Sequence, residues 1–217
     1  MKEKKLLIAV QCGGGDIVMK IKEGADATWN SQEYSNTKTL FTKGGEKEEI
    51  IDNVYYSGST DEYDYCHVVF RNFLRYVWNW DWDYILHGSI SSYFDKEQAY
   101  KKMLTLPEEK CYCGNLIEYY DHGYASGACF FISRDVAKIL MDQLPETPVC
   151  EDVIFGIILN QNGIRVTPGS ERVELNNLIK GGYHYRCKEI LPKEVDPNHR
   201  LNVIENFHKV HKFIKGE

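Results

Sequence analysis

Residues Tyr124 to Ile164 read YASGACFFISRDVAKILMDQLPETPVCEDVIFGIILNQNGI, and this stretch decides the fold. A small-residue turn, Ala125-Ser126-Gly127-Ala128, leads into an apolar strand, Cys129-Phe130-Phe131-Ile132. Ser133 suits an N-cap and Asp135 suits the positive end of the helix dipole. Val136, Ile139, Leu140 and Leu144 then recur at helical spacing. Pro145 and Pro148 mark a loop. Glu151 and Asp152 follow, directly before Val153-Ile154-Phe155-Gly156-Ile157-Ile158-Leu159. That run is apolar on all sides, which predicts a buried helix. Asn162-Gly163 is its expected stop. Two carboxylates at the mouth of a buried helix suit catalysis, and they equally suit capping of its first turn.

The chain has 217 residues, enough for one domain. At 43% hydrophobic and 13% aromatic it can bury a substantial core. A net charge of -6 argues against a nucleic-acid partner. No apolar run is long enough for a membrane span, and no signal peptide follows Met1. A cytoplasmic setting, in a bacterium or virus, is the expectation. Seven cysteines, unevenly spaced, point to a reducing compartment. Cys111 and Cys113 with His122 nearby lack the second pair that a zinc site needs.

Leu6 to Val10 reads as a buried first strand, and Gly13-Gly14-Gly15 as a turn rather than a phosphate loop. Asp16 to Asn30 is predicted helical, with Ile17, Ile21, Ala25 and Trp29 near one face. Thr37–Lys43 and Asn53–Ser57 are candidate strands with a charged turn, Gly44 to Glu49, between them. Cys66, Val69, Phe70, Phe73, Leu74 and Val77 repeat at three and four, giving an amphipathic helix. Glu97 to Leu106 is predicted helical too. Strands alternating with helices favour an α/β sheet, mostly parallel, with ligands at the carboxyl ends of its strands.

SGACFFISRDVAKIL followed by EDVIFGIILNQNGI resembles the paired motifs of the β-1,3-galactosyltransferase and Fringe family. The resemblance implies a GT-A-like α/β fold: a mostly parallel sheet flanked by helices, in one domain over residues 1–217. Residues 1–95 would form the nucleotide-sugar half. Residues 96–217 would form the acceptor and catalytic half, with a closing C-terminal helix. It implies an inverting transfer of a hexosyl group from a UDP-linked sugar to a glycan hydroxyl. Asp152 would be the general base, and Glu151 an alternative base or an orienting neighbour. Val10, Gln11 and Trp29 fall in the donor region. Ala27-Thr28-Trp29 keeps the family's Thr-Trp but lacks the arginine before it.

Such enzymes end a strand with Asp-x-Asp, whose acids hold Mg²⁺ or Mn²⁺ against the diphosphate. Two alignments compete here. Asp81-Trp82-Asp83 spells the motif but precedes the strand Tyr84-Ile85-Leu86. Aligning the strand instead puts Ser89-Ile90-Ser91 at the ligand positions. Strand-end geometry places the ligands, so the serines are the expected replacement. The candidate metal residues are Asp81, Asp83, Asp95 and His184, and metal-free binding is the other possibility. Gly182 to Lys188 reads as a strand or extended loop that puts His184, Arg186 and Lys188 on one side, a set suited to a pyrophosphate.

Glu118 to Tyr124 reads as an aromatic, polar loop. Tyr124, Ser126, Gly127 and Ala128 are the candidate acceptor wall. Arg200 to Lys215 is a basic amphipathic helix, either a closing element or a contact for a partner or membrane surface. Two other classes stay open: a carbohydrate-binding pseudoenzyme, and a metal-dependent nucleotide-sugar hydrolase built on Asp81 and Asp83.

Overall fold

A computed structural model describes residues 3–13, 15–119, 122–169, 172–188 and 202–217. Gly14 of the glycine turn, Tyr120 and Asp121 of the aromatic run, and Arg200 of the tail lie outside these. The chain forms one α/β domain in three layers. The first strand, β1 (Leu6–Gln11), is apolar on both faces. Leu6, Ile8 and Val10 point into one core, and Leu7 and Ala9 into another. A strand with no polar face must sit in the middle of a covered sheet.

β1 pairs in parallel with β2 (Thr37–Lys43) on one side and β5 (Tyr84–Ser89) on the other. Beyond β2 lie β4 (Val54–Ser57), also parallel, and the edge strand β3 (Glu48–Ile51), antiparallel to β4. Beyond β5 the sheet turns antiparallel through β8 (His122–Ser133) and β7 (Tyr112–Tyr119), and ends on the two-residue β9 (Thr167–Pro168). The order is β3-β4-β2-β1-β5-β8-β7-β9. A second, three-stranded sheet joins β6 (Ser92–Phe94) to β11 (His184–Arg186) and β10 (Arg172–Glu174).

Among the described residues one face carries α1 (Asp16–Asp26), α3 (Lys96–Met103), α6 (Asn202–Lys215) and the small sheet. The other carries α2 (Cys66–Val77), α4 (Arg134–Gln143) and α5 (Glu151–Gln161). The α2 stripe falls as its periodicity predicts, with Phe70, Phe73, Leu74 and Val77 fully buried. Gly163 closes α5 at φ +73°, the left-handed stop expected of it.

Several expectations need correction. The helix predicted over Asp16–Asn30 ends at Asp26, because Thr28 Oγ1 bonds back to Gly24 O (2.7 Å) and the chain closes in a turn. The charged segment before Val54 is not all turn: Glu48–Ile51 is an edge strand, where charge deters further pairing. Asp52 and Asn53 form the hairpin turn, with φ of +46° and +64°, so Asn53 is not a strand residue. Glu118, Tyr119 and His122 to Tyr124 are strand residues rather than loop. Tyr119 pairs with His122 and Glu118 with Gly123 in the β7–β8 ladder. Ser133 begins α4 but its side chain does not cap it. Its hydroxyl donates to Asp135 Oδ1 and accepts from the Cys111 N–H, tying α4 to the sheet edge.

The small-residue stretch is part of β8 and not a turn before it. Gly114 pairs with Phe130, yet Leu116 pairs with Ala125. Ser126, Gly127 and Ala128 therefore bulge out of the ladder, as bulges beside functional sites often do. The C-terminal helix packs on α1, burying Val203, Phe207 and Val210. Its apolar face is therefore part of the core. No helix among the described residues is long and apolar enough to cross a membrane.

Candidate active site

A cleft of about 290 Å³ opens at the carboxyl ends of the parallel strands. Gln11 closes β1 there and Ser89 closes β5, with Gly13, Ile90 and Ser91 beside them. Ser126, Gly127 and Ala128 of the β8 bulge form one wall, and Glu151 and Asp152 form its far corner. Arg186 of β11 and Lys188 just beyond it line the cleft too, with Tyr63, Cys66 and Val203. Open α/β sheets bind ligands in this place because the loops there diverge and helix N-termini point at it.

The acids belong to the first turn of α5. They are held by close packing between that helix and the bulged strand. A Cβ on Gly156 would stand 2.6 Å from Tyr124 Cβ and 2.9 Å from Gly123 O, so glycine lets α5 approach β8. The Gly127 N–H donates to Asp152 Oδ2 at 2.9 Å, and a Cβ on Gly127 would fall 2.2 Å from Asp152 Oδ1. Glycine at 127 therefore makes room for the carboxylate, which explains the small-residue signature. Burial raises the Asp152 carboxyl above its ordinary 3.8, and the neighbouring Glu151 raises it further. The Gly127 N–H, His87 and Arg186 pull it down, and burial prevails. The helix terminus does not override the cost of desolvation.

Beneath Glu151 lies His87, fully buried among Phe70, Phe130 and Phe155. Its Nε2 is 3.7 Å from Glu151 Oε1. Neither ring nitrogen has a hydrogen bond within 3.5 Å among the described residues. Nothing in the local sequence singled out His87. Only the two-residue alternation of β5, carrying it to the face under α5, could have done so.

In the same cleft, Arg186 Nη1 donates to Ser89 Oγ at 2.6 Å and to Ser91 Oγ at 2.9 Å. Both serines of the strand alignment line the cleft. Burial and nearby Arg172 lower the Arg186 pKa, but a guanidinium keeps its charge near neutrality. His184 departs from expectation. It is 1% exposed, stacks on Phe94, and does not line the cleft. Ser92 Oγ donates to Ala128 O (3.1 Å), so the ring must donate from Nε2 to Ser92 Oγ (3.0 Å). Burial pushes the His184 pKa down to about 3, which leaves it neutral. It ties β11 to the bulge and offers no cation to a phosphate.

Other candidates also fall elsewhere. Val10 and Trp29 are fully buried, and Trp29 packs against Phe41 and Phe94 in the core. Tyr124 packs beside Gly156 and Tyr119 at the edge of the acid corner. Asp81 and Asp83 precede β5, at the end of the sheet away from the cleft. Asp83 Oδ2 accepts from Lys5 N (2.7 Å), and Asp81 pairs with Lys5 Nζ (2.6 Å). Asp95 caps α3 by accepting the Gln98 N–H at 3.1 Å. Among the described residues no three His, Cys, Asp or Glu side chains are grouped to hold a metal. Conversely, Tyr63 was missed. It is 80% exposed at the cleft mouth, on a short 3₁₀ turn that no periodicity announces.

No protein-family model matches the sequence, and no curated protein matches it. Solved structures do resemble it. One is a glycosyltransferase involved in the glycosylation of the major capsid of PBCV-1, at 9% identity and a TM-score of 0.53. The match covers 95% of this chain and 100% of that one. The likeness establishes a glycosyltransferase-like fold for the described α/β domain.

Proposed function

We propose that the protein is an inverting glycosyltransferase that moves a hexosyl group from a UDP-linked sugar to a glycan hydroxyl. One observation carries the reading: the Asp152 carboxylate and the Arg186 guanidinium line one cleft, each within electrostatic reach of the other. A single displacement needs this pair, a base for the attacking hydroxyl and a cation for the departing diphosphate. The donor would lie over Gln11, Ser89 and Ser91 with its phosphates toward Arg186 and Lys188. The acceptor would enter past Tyr63 and rest on Ser126 to Ala128, with Tyr124 behind them. Asp152 would take the hydroxyl proton as oxygen attacks the anomeric carbon, and the bond to the diphosphate breaks on the far side. Glu151 would orient the acceptor or Asp152. Residues 1–95 would chiefly seat the donor, and residues 96–217 would supply the acids, the acceptor wall and the two cations.

The fold shared with a capsid glycosyltransferase supports this reading. Against the hydrolase reading, Asp81 and Asp83 stand away from the cleft and engage Lys5. The pseudoenzyme reading is separated by product analysis. Incubation with UDP-sugars and a panel of acceptor glycans should release UDP only when a suitable acceptor is present. Binding without turnover would identify a carbohydrate-binding protein instead.

A further inference from the structure

Metal-using transferases of this fold place acids at the end of β5, and the residues here do not suit a divalent ion. Ser89 and Ser91 supply neutral hydroxyls, and hard cations such as Mg²⁺ require carboxylate or phosphate oxygens. Both hydroxyls already accept from one guanidinium group, at 2.6 and 2.9 Å. A second cation would have to compete with Arg186 for those oxygens and withstand its repulsion.

The arginine is fixed by its backbone as well as by its serines. Arg186 pairs with Ser92 across the β6–β11 ladder. The next residue, Cys187, donates its N–H to Ser91 O (3.0 Å) and accepts from Asn206 Nδ2 (3.0 Å) at its carbonyl. Arg186 Nη1 spends both hydrogens on the serines. Among the described residues nothing takes the Nε and Nη2 hydrogens, a planar fork matched to phosphate oxygens. Lys188 lines the same cleft two residues on and adds a second positive charge.

We propose that Arg186, seated on Ser89 and Ser91, is a built-in cation that takes the place of a divalent metal and holds the donor diphosphate. This rests on the glycosyl-transfer reading above. The cation is part of the fold, so donor binding does not depend on Mg²⁺ or Mn²⁺. The geometry also explains the serines: each is short enough to leave room for the guanidinium and polar enough to orient it.

Calorimetric titration with UDP, GDP and dTDP, in excess EDTA and again in millimolar Mn²⁺, tests this without any turnover. The preferred nucleotide should bind with the same Kd in both conditions, within about twofold. Arg186→Ala should weaken it by about tenfold or more in both. Arg186→Lys keeps the charge, loses the fork, and should fall between. Ser89→Ala/Ser91→Ala leaves the arginine but unmoors it, and should weaken binding several-fold. This double variant decides the matter if Arg186→Ala melts early. Binding that appears only with Mn²⁺ and survives Arg186→Ala would overturn the built-in cation and leave glycosyl transfer standing. Binding of no nucleotide in either condition would overturn the transferase reading itself.

Discussion

Asp152 shows how far one residue's environment can depart from what its neighbours in sequence suggest. The start of a helix favours an ionised acid by a fraction of a kcal/mol to about 1 kcal/mol. Burial and the adjoining Glu151 oppose that and prevail, so the folded pKa is raised. Folded protein then holds that proton more tightly than unfolded chain. The stability this contributes is fully present below the ordinary value of 3.8 and is lost as pH rises through the folded pKa. At neutral pH the carboxylate costs stability, while a raised pKa suits a general base. Asp152→Asn should therefore lower transfer by about a hundred- to ten-thousandfold with donor Kd nearly unchanged. Its melting temperature should be equal to or above that of the wild type. Glu151→Gln should cost less activity. If both variants stayed active and melted lower, the acids would be helix caps and no more. For the wild type, kcat/KM should rise with pH along a limb centred above 3.8, and Arg186→Lys should leave that limb in place because the charge persists. Tyr63, exposed at the mouth, would offer a ring face to the proposed acceptor. Tyr63→Ala should raise acceptor KM several-fold while leaving nucleotide affinity unchanged. An unaltered KM would remove Tyr63 from the acceptor path.

At the scale of elements, what was legible followed from periodicity. The α2 stripe, the β1 run and the α5 block each carry a pattern that burial alone enforces. What was not legible depends on partners distant in sequence. The paired strands β7 and β8 are too polar along Glu118–Tyr119 and His122–Gly123 to announce strands, and they are held by pairing with each other. Edge strand β3 hides among charges for the reason that edges carry charge. Strand alignment puts Ser89 and Ser91 at the strand end that lines the cleft, whereas alternation alone does not say that His184 lies on the covered face of β11. Gly127 and Gly156 were legible as small residues, but their reason is the close docking of α5 on β8. Gly156→Ala gains about 1 kcal/mol of helix propensity. Its Cβ meets backbone and Tyr124 Cβ inside 3.0 Å, which costs about 1–3 kcal/mol in overpacking. The net should be destabilising, seen as a lower urea midpoint at unchanged slope. A raised midpoint would mean that α5 yields freely and does not fix the acids.

For the whole molecule, the site depends on a C-terminal helix that contributes little to its chemistry. α6 packs along α1, with Ile204 against Gly24, and its Val203 reaches the cleft border. Asn206 donates to Cys187 O, the carbonyl that follows Arg186. Helix, arginine and cleft are thereby one mechanical unit spanning the two ends of the chain. Phe207 is the centre of that contact: it is fully buried and packs against Tyr93, itself bonded through its hydroxyl to His211 Nδ1 (3.0 Å). Truncating such a ring removes both transfer free energy and packing, typically about 3–5 kcal/mol. Phe207→Ala should therefore lower global stability by that order in urea. A milder change, Phe207→Leu, should keep the fold, cost about 1 kcal/mol and weaken nucleotide binding more than acceptor binding, because the loosened contact lies on the Arg186 side. A basic surface helix serving a membrane would behave differently. Its Phe207→Ala variant would melt as the wild type does and would lose association with anionic vesicles. That result would overturn the closing role of α6 and with it the proposed coupling between this helix and Arg186.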